Sequence, residues 1–140
     1  MTFAALALLH LVPTLLMTGV IWFVQVVHYP LFRRVGAQAF SAYEAENVTR
    51  TTWVVLPTML AELGLTIWLC LAAPGVATTT GLLLLAFIWL TTFVEQVPCH
   101  ARLQVRANDI DMLRLVRGNW LRTIAWTARS ALALALVWPA

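Results

Sequence analysis

The sequence predicts an all-α integral membrane protein: one domain, 1–140, folded as a four-helix bundle with both termini outside and amphipathic helical extensions on the cytoplasmic side. Three observations predict it. Hydrophobic residues make up 61% of the 140-residue chain and charged residues only 11%, and the mean hydropathy of +0.84 lies well above that of a soluble domain this small. The apolar residues gather into four runs at about 3–29, 53–73, 82–97 and 121–138, to be compared with the roughly 20 residues that cross about 30 Å of hydrocarbon. All nine basic residues are arginines, and apart from Arg129 they lie in the first and third connections or the span ends beside them. The positive-inside rule then puts those two connections in the cytoplasm, and an even number of spans puts both ends outside. The corresponding location is the inner, cytoplasmic membrane of a bacterium.

The first run, Phe3 to Tyr29, lacks a basic leader and a small-residue cleavage pattern, so it reads as a retained span and not a signal peptide. Its polar residues His10, Thr14, Thr18, Gln25 and His28 recur at spacings of 4, 4, 7 and 3, close to one face of a 3.6-residue helix. The following connection carries Arg33, Arg34, Glu44, Glu46 and Arg50. Within it Ser41-Ala42-Tyr43-Glu44 has the form of a capping box, so a helix is expected to start there and run on into the second span. Phe40, Tyr43, Asn47 and Arg50 share a face of that helix. The second run, Trp53 to Ala73, repeats the polar pattern with Thr58, Glu62 and Thr66. The connection Pro74 to Gly81 is short and uncharged.

The third run, Leu82 to Val97, carries Thr92, Gln96 and His100 on one face, with Pro98 as an expected helix end. The third connection holds Arg102, Arg106, Asp109, Asp111, Arg114 and Arg117, with Asn108 or Asp109 placed to cap a final helix. That helix contains the fourth run, Leu121 to Trp138, and sets Asn119, Arg122, Trp126 and Arg129 on one face. Pro13 and Pro57 fall inside spans, where neighbouring helices can satisfy the freed carbonyls. Each helix thus offers one polar seam to a shared interior.

The net charge of +3 and pI of about 9.5 do not signal nucleic-acid binding, because the arginines flank apolar runs as membrane topology requires. The expected partners are membrane lipids and a lipophilic small molecule, with a homo-oligomer or a larger membrane complex as the assembly. Cys70 and Cys99 fall near opposite faces of the bilayer, beyond the roughly 7 Å Cα separation a disulfide tolerates. No CxxC pattern is present.

Ionisable groups inside a span cost roughly 2.5–3.5 kcal/mol each on insertion scales, so Glu62, Glu95, Arg122 and Arg129 need partners or a purpose. Depth pairs Glu62 with Arg129 near the bilayer middle and Glu95 with Arg122 near the inner boundary. One reading is structural, two ion pairs that fix helix order. The other is functional, a carboxylate that titrates or an arginine that grips an anion. His28 and His100 are expected to meet at the cytoplasmic end near Glu95, Asn119 and Arg122, and these five residues form the candidate catalytic site. Two histidines beside a carboxylate suit a transition metal, and two facing histidines suit a haem iron, although neither HxxxH nor HExxH spacing occurs. The bland alternative is a pair of interfacial histidines bonded to backbone and water. Trp53, Trp68, Trp120 and Trp138 fall at span ends as an aromatic belt. Trp22, Trp89 and Trp126 share a depth in the inner half and are candidates to wall a pocket for a flat lipophile or cofactor.

Two segments carry a family resemblance. Val97-Pro98-Cys99-His100-Ala101-Arg102-Leu103 resembles the Val-Pro-x-Asn-x-x-Leu of the small four-span family that includes anthrone oxygenase-like proteins, and Asn119-Trp120-Leu121-Arg122-Thr123 resembles that family's Asn-His-x-Arg-Thr. Pro98, Leu103, Asn119, Arg122 and Thr123 carry over, whereas His100 stands in place of Asn and Trp120 in place of His. The resemblance implies a four-helix fold and oxidation of a lipophilic aromatic. A fainter likeness is to HemJ-type protoporphyrinogen oxidases, haem-binding four-span bundles with a His in the first span. The leading expectation is a membrane-embedded oxidoreductase, or a related enzyme, acting on a lipophilic ring compound that enters from the inner leaflet. A proton-coupled transporter using Glu62 and a structural or assembly subunit of a membrane complex are the alternatives.

Overall fold

A computed structural model describes residues 2–138, and the described chain is helical almost throughout. Helix α1 (Phe3–Phe23) passes into a π-helical turn, Val24–His28, then into α2 (Tyr29–Leu31) and a 3-10 turn, Phe32–Arg34. Helix α3 covers Ala37–Ala72, and α4 (Val76–Thr91) passes through a second π turn, Thr92–Gln96, into α5 (Val97–Val105). Helix α6 covers Asp109–Val137.

Three continuous helical stretches, Phe3–Arg34, Ala37–Ala72 and Val76–Val105, are long and apolar enough to cross a membrane. That is the character of an integral membrane protein. The sequence predicts four such spans, and α6 is the one that falls short. Its 29 residues are ample in length, but Arg122 and Arg129 interrupt its apolar stretch. Both arginines are buried, so the polarity that lowers the hydropathy of α6 faces its neighbours.

Several boundaries differ from those the sequence suggests. Helix α3 starts at Ala37 behind Gly36, so Ser41 lies inside the helix and the expected capping box at Ser41–Glu44 does not form. Pro98 does not end a helix: it sits in the first turn of α5, directly after a π turn, as Pro30 does in α2. A proline lacks the N–H that an α-helix needs and crowds the carbonyl four residues back. In both places the ladder instead widens, with Tyr29 N–H bonding to Val24 O and Val97 N–H to Thr92 O. Asn108 caps α6 as expected, its Oδ1 accepting from Asp111 N–H at 2.8 Å.

The four long helices close into a ring in which α1 packs on α3 and α6, and α4 packs on the same two. Met17, Ile21, Met59, Ile88, Ala125 and Trp126 fill the middle, and Tyr29, Phe32, Phe40, Cys99, Leu103, Met112 and Leu115 fill the end where the arginine-rich connections lie. Outward-facing Leu8, Val12, Leu16, Leu60, Leu71, Leu83 and Leu90 leave an apolar surface. Where both sides of a helix meet hydrocarbon, helix association relies on close packing and interhelical hydrogen bonds. Thr18 and Ser130 supply one such bond at 2.7 Å.

The middle of the ring holds a polar cluster. Arg129 and Glu62 form an ion pair at 3.0 Å, with both side chains at most 1% exposed. Trp126 Nε1 donates to the other Glu62 oxygen at 3.1 Å. Arg129 also donates to Thr66 at 3.1 Å, to His10 at 3.3 Å and to the Gly81 carbonyl. Four helices are tied through one guanidinium.

Candidate functional site

One cavity of about 300 Å³ opens in the half of the ring nearest the arginine-rich connections. Its walls are mostly apolar: Met17, Ile21, Val24, Val55, Met59 and Trp89 contribute. Its polar lining includes His28, Tyr29, Asn47, Gln96, His100 and Arg122. Thr52 and Leu56 on α3, with Phe93 and Val97 on the facing helix, line the cavity and stay exposed, so the cavity opens sideways between those helices, toward the lipid-facing surface.

The polar groups form a continuous chain. Tyr29 O–H reaches His100 Nε2 at 3.0 Å, and His100 Nδ1 bonds to Glu44 Oε1. The second Glu44 oxygen accepts from Asn47 Nδ2 at 3.0 Å, and Asn47 Oδ1 bonds to His28 Nε2 at 2.9 Å. A carboxylate only accepts and an amide oxygen only accepts. The network therefore puts a proton on His100 Nδ1 and on His28 Nε2, and the Tyr29 hydroxyl stands between two acceptors, His100 Nε2 at 3.0 Å and Gln96 Oε1 at 3.3 Å. Glu44 is fully buried, and each of its oxygens is bonded within this chain of groups. The result is a carboxylate–imidazole–phenol relay, Glu44–His100–Tyr29, at the edge of an apolar cavity.

Two features of the backbone put these groups together. The π turn at Val24–His28 precedes Tyr29, and the π turn at Thr92–Gln96 precedes the short helix that carries His100. Such turns re-aim side chains and recur at functional sites. From the other side, α3 brings Phe40, Glu44 and Asn47 inward on one face, and Phe40 is fully buried against Phe32.

On α6, Asn119 Nδ2 donates to Gln25 Oε1 at 2.9 Å, and Asn119 Oδ1 accepts from Arg122 at 3.1 Å. The Arg122 guanidinium lies over Trp126, 5.3 Å from the ring centroid. Its Nε is buried with no hydrogen-bond partner among the described residues.

No family model, curated protein or solved structure matches the chain.

Of the five residues expected at the site, His28, His100 and Arg122 line the cavity, and Asn119 stands directly behind Arg122. Glu95 is elsewhere. It forms no ion pair with Arg122 among the described residues, and its carboxyl rests on Gly118, where a Cβ would collide with it. Equal depth brings Glu95 and Arg122 to neighbouring turns of α6 without pairing them. Glu62 and Arg129 do meet, in the middle of the ring. Of the three tryptophans, only Trp89 lines the cavity. Trp126 is turned to Glu62, and Trp22 is exposed, donating to Thr127 at 3.0 Å and packing edge-on against Trp120.

Both ring nitrogens of His100 and Nε2 of His28 are bonded within the relay, and no group of three His, Cys, Asp or Glu is placed to hold a metal ion among the described residues. Tyr29 and Glu44 join this network without having stood out in the residue pattern. A signal for Glu44 existed: Phe40, Glu44 and Asn47 recur at spacings of 4 and 3, and a phenylalanine on that face marks it as inward.

Proposed function

We propose that this chain is a membrane-embedded enzyme that removes a proton from a lipophilic ring compound and so prepares it for oxidation. The observation that carries this reading is the Glu44–His100–Tyr29 relay beside a mostly apolar cavity. A substrate proton passes to the Tyr29 oxygen as the phenol proton moves to His100 Nε2, or passes to Nε2 directly. Glu44 holds the imidazole in the accepting tautomer and stabilises the imidazolium that forms, as a buried carboxylate does in general-base catalysis. The carbanion or enolate left behind is electron-rich. Dioxygen is the oxidant: the ring carbanion, a dioxygen molecule and a proton give a ring carbonyl and a molecule of water. In that step the carbon–oxygen bond forms, the oxygen–oxygen bond breaks, and the second methylene hydrogen leaves in the water with the added proton. The likeness of Pro98, Leu103, Asn119, Arg122 and Thr123 to anthrone oxygenase-like proteins supports the oxidative outcome.

In this reading α6 is a fourth span, its arginines sheltered by the ring, and both termini face outward from a bacterial inner membrane. The arginine-rich ends of the helices support that orientation. A transporter built on Glu62 is less well supported, because both Glu62 oxygens are tied to Arg129 and Trp126.

The test uses the purified protein in nanodiscs with anthrone in deuterated buffer. Wild type is expected to speed hydrogen–deuterium exchange at the ring methylene and to consume dioxygen. His100→Ala and Glu44→Gln should lower both rates by about 10²–10⁴-fold, the usual contribution of a general base. Exchange and uptake equal to protein-free discs, or unchanged by both substitutions, would remove the proposal.

A further inference from the structure

Arg122 and Arg129 stand seven residues apart on one face of α6, both buried, and they are treated in opposite ways. Arg129 has a carboxylate, a hydroxyl, a carbonyl and an imidazole around it. Arg122 has one neutral amide oxygen, the face of Trp126 and the neutral phenol of Tyr29 nearby. No acidic side chain lies within 4.0 Å of it among the described residues. A buried guanidinium without a counter-charge is costly, and a cation–π contact offsets only part of that cost. The same helix shows how this fold neutralises an arginine, and at position 122 it does not.

Neither acidic group at this end of the ring pairs with Arg122 among the described residues. Glu44 spends both oxygens on His100 and Asn47, and Glu95 lies against Gly118. Arg122 also lines the cavity. We infer that Arg122 is the counter-ion for an oxyanion on the ligand, and that the site takes a flat lipophile bearing an acidic hydroxyl, bound in its ionised form. This deepens the enzyme reading above and rests on it for the proton's destination: the hydroxyl is the enol form of the same ring compound, so losing either proton gives one enolate and His100 takes up a single proton. The hydroxyl O–H bond breaks, its proton goes to His100 Nε2 directly or through Tyr29, and the electron pair stays on the ligand oxygen facing Arg122. Charges then balance across the site: imidazolium with the Glu44 carboxylate, guanidinium with the ligand oxyanion. The sideways opening framed by Thr52, Leu56, Phe93 and Val97 admits the neutral form from the hydrocarbon, and ionisation follows inside.

The probe is 1-naphthol, compared with 1-methoxynaphthalene, titrated into full-length protein in phosphatidylcholine nanodiscs at pH 7. Wild type is expected to show the naphtholate absorption band on binding and to hold the naphthol at least tenfold more tightly than the ether. Arg122→Gln should lose the band and the tenfold advantage while its affinity for the ether is unchanged, and Arg122→Lys should keep part of both. A bound naphthol with the neutral spectrum, or equal affinities for naphthol and ether in wild type, would overturn the inference even where Arg122→Gln fails to fold. Loss of the band when phosphatidylglycerol is added would place a lipid headgroup at Arg122, which also overturns it. Binding as naphtholate without methylene exchange in anthrone would leave this inference standing and remove the catalytic one. Exchange without any naphtholate would do the reverse.

Discussion

Glu62→Gln takes one negative charge from a position with no route to water. The residue left exposed to that change is Arg129, which is 1% exposed and takes its only carboxylate contact from Glu62. Breaking a buried pair by removing one partner costs about 3–5 kcal/mol, mostly the penalty of the orphaned charge. Glu62→Gln is therefore expected to lower the unfolding midpoint in detergent sharply. The double variant Glu62→Leu with Arg129→Met should recover much of that loss, because an apolar replacement of both partners leaves no buried charge behind. Fluorescence-detected melting of the three proteins compares them directly, and a double variant no better than the single would show that the pair is not what the middle of the ring relies on.

Individual residues also show what was legible and what was not. Spacing placed Glu62 and Arg129 inside the ring, and it placed His28, His100, Asn119 and Arg122 at one end. Depth, counted along each run, was a sound guide for those residues. It failed for Glu95 and Trp22, because depth says nothing about the direction a side chain takes around the helix axis. Glu44 was hidden by a different cause. It lies in a stretch rich in charge, where Arg50 and Glu46 pair on the exposed face, and composition alone does not separate one carboxylate buried on that helix from another left in water.

Among the elements, the π turns are the least visible in sequence, because they change the hydrogen-bond ladder without changing the residue pattern. A π turn is in effect one inserted residue absorbed as a bulge. Deleting Val94, which is 69% exposed within the second π turn, should relax that turn to α-helix with the flanking faces kept in register. Deleting Leu84 from the regular part of α4 should instead rotate everything after it by about 100°, carrying His100 away from Glu44. Folded yield by fluorescence size-exclusion, together with anthrone exchange, distinguishes the two; equal damage from both deletions would speak against an absorbed insertion.

The start of α6 gives a pH prediction. Asp111 receives two bonds from Arg102 Nε at 3.0 Å, one from Arg102 Nη2 at 2.6 Å, and one from Asn108 at 3.0 Å. The bonds from Arg102, aided by Asn108, hold its carboxyl down to about 2 from an ordinary value of 3.8. A carboxylate whose pKa is lower in the folded state stabilises it fully above the unfolded value and loses that contribution as the pH falls through the folded one. The cap therefore holds across neutral pH and fails between about 4 and 2. Asp111→Asn should melt earlier at pH 7 and show a flatter response to acid in that window. A melting profile parallel to wild type at every pH would count against the cap.

For the whole molecule, the distribution of arginine makes a prediction about topology. Reporters fused to the two ends are expected to agree with each other: alkaline phosphatase active at both, a cytoplasmic fluorescent protein dark at both. Opposite signals at the two ends would mean three crossings and an α6 that lies outside the hydrocarbon. The all-helical fold and the membrane character were plain from hydropathy. The standing of α6 was not, because an arginine facing the ring interior and one facing lipid lower a hydropathy average equally.

Helix α3 is one uninterrupted rod of 36 residues, Ala37 to Ala72, about 54 Å end to end at about 1.5 Å per residue. It carries Glu44 near one end, Glu62 anchored to Arg129 further along, and Pro57 between them. Glu44 stands about 20 Å from Pro57 along that axis, so a swing of about five degrees there displaces the carboxyl by nearly 2 Å, enough to part it from His100. The rod is a lever whose fulcrum is held in the middle of the ring. A change in the tilt of its Glu44 end would part the imidazole from its carboxylate while the pair in the middle of the ring stayed closed.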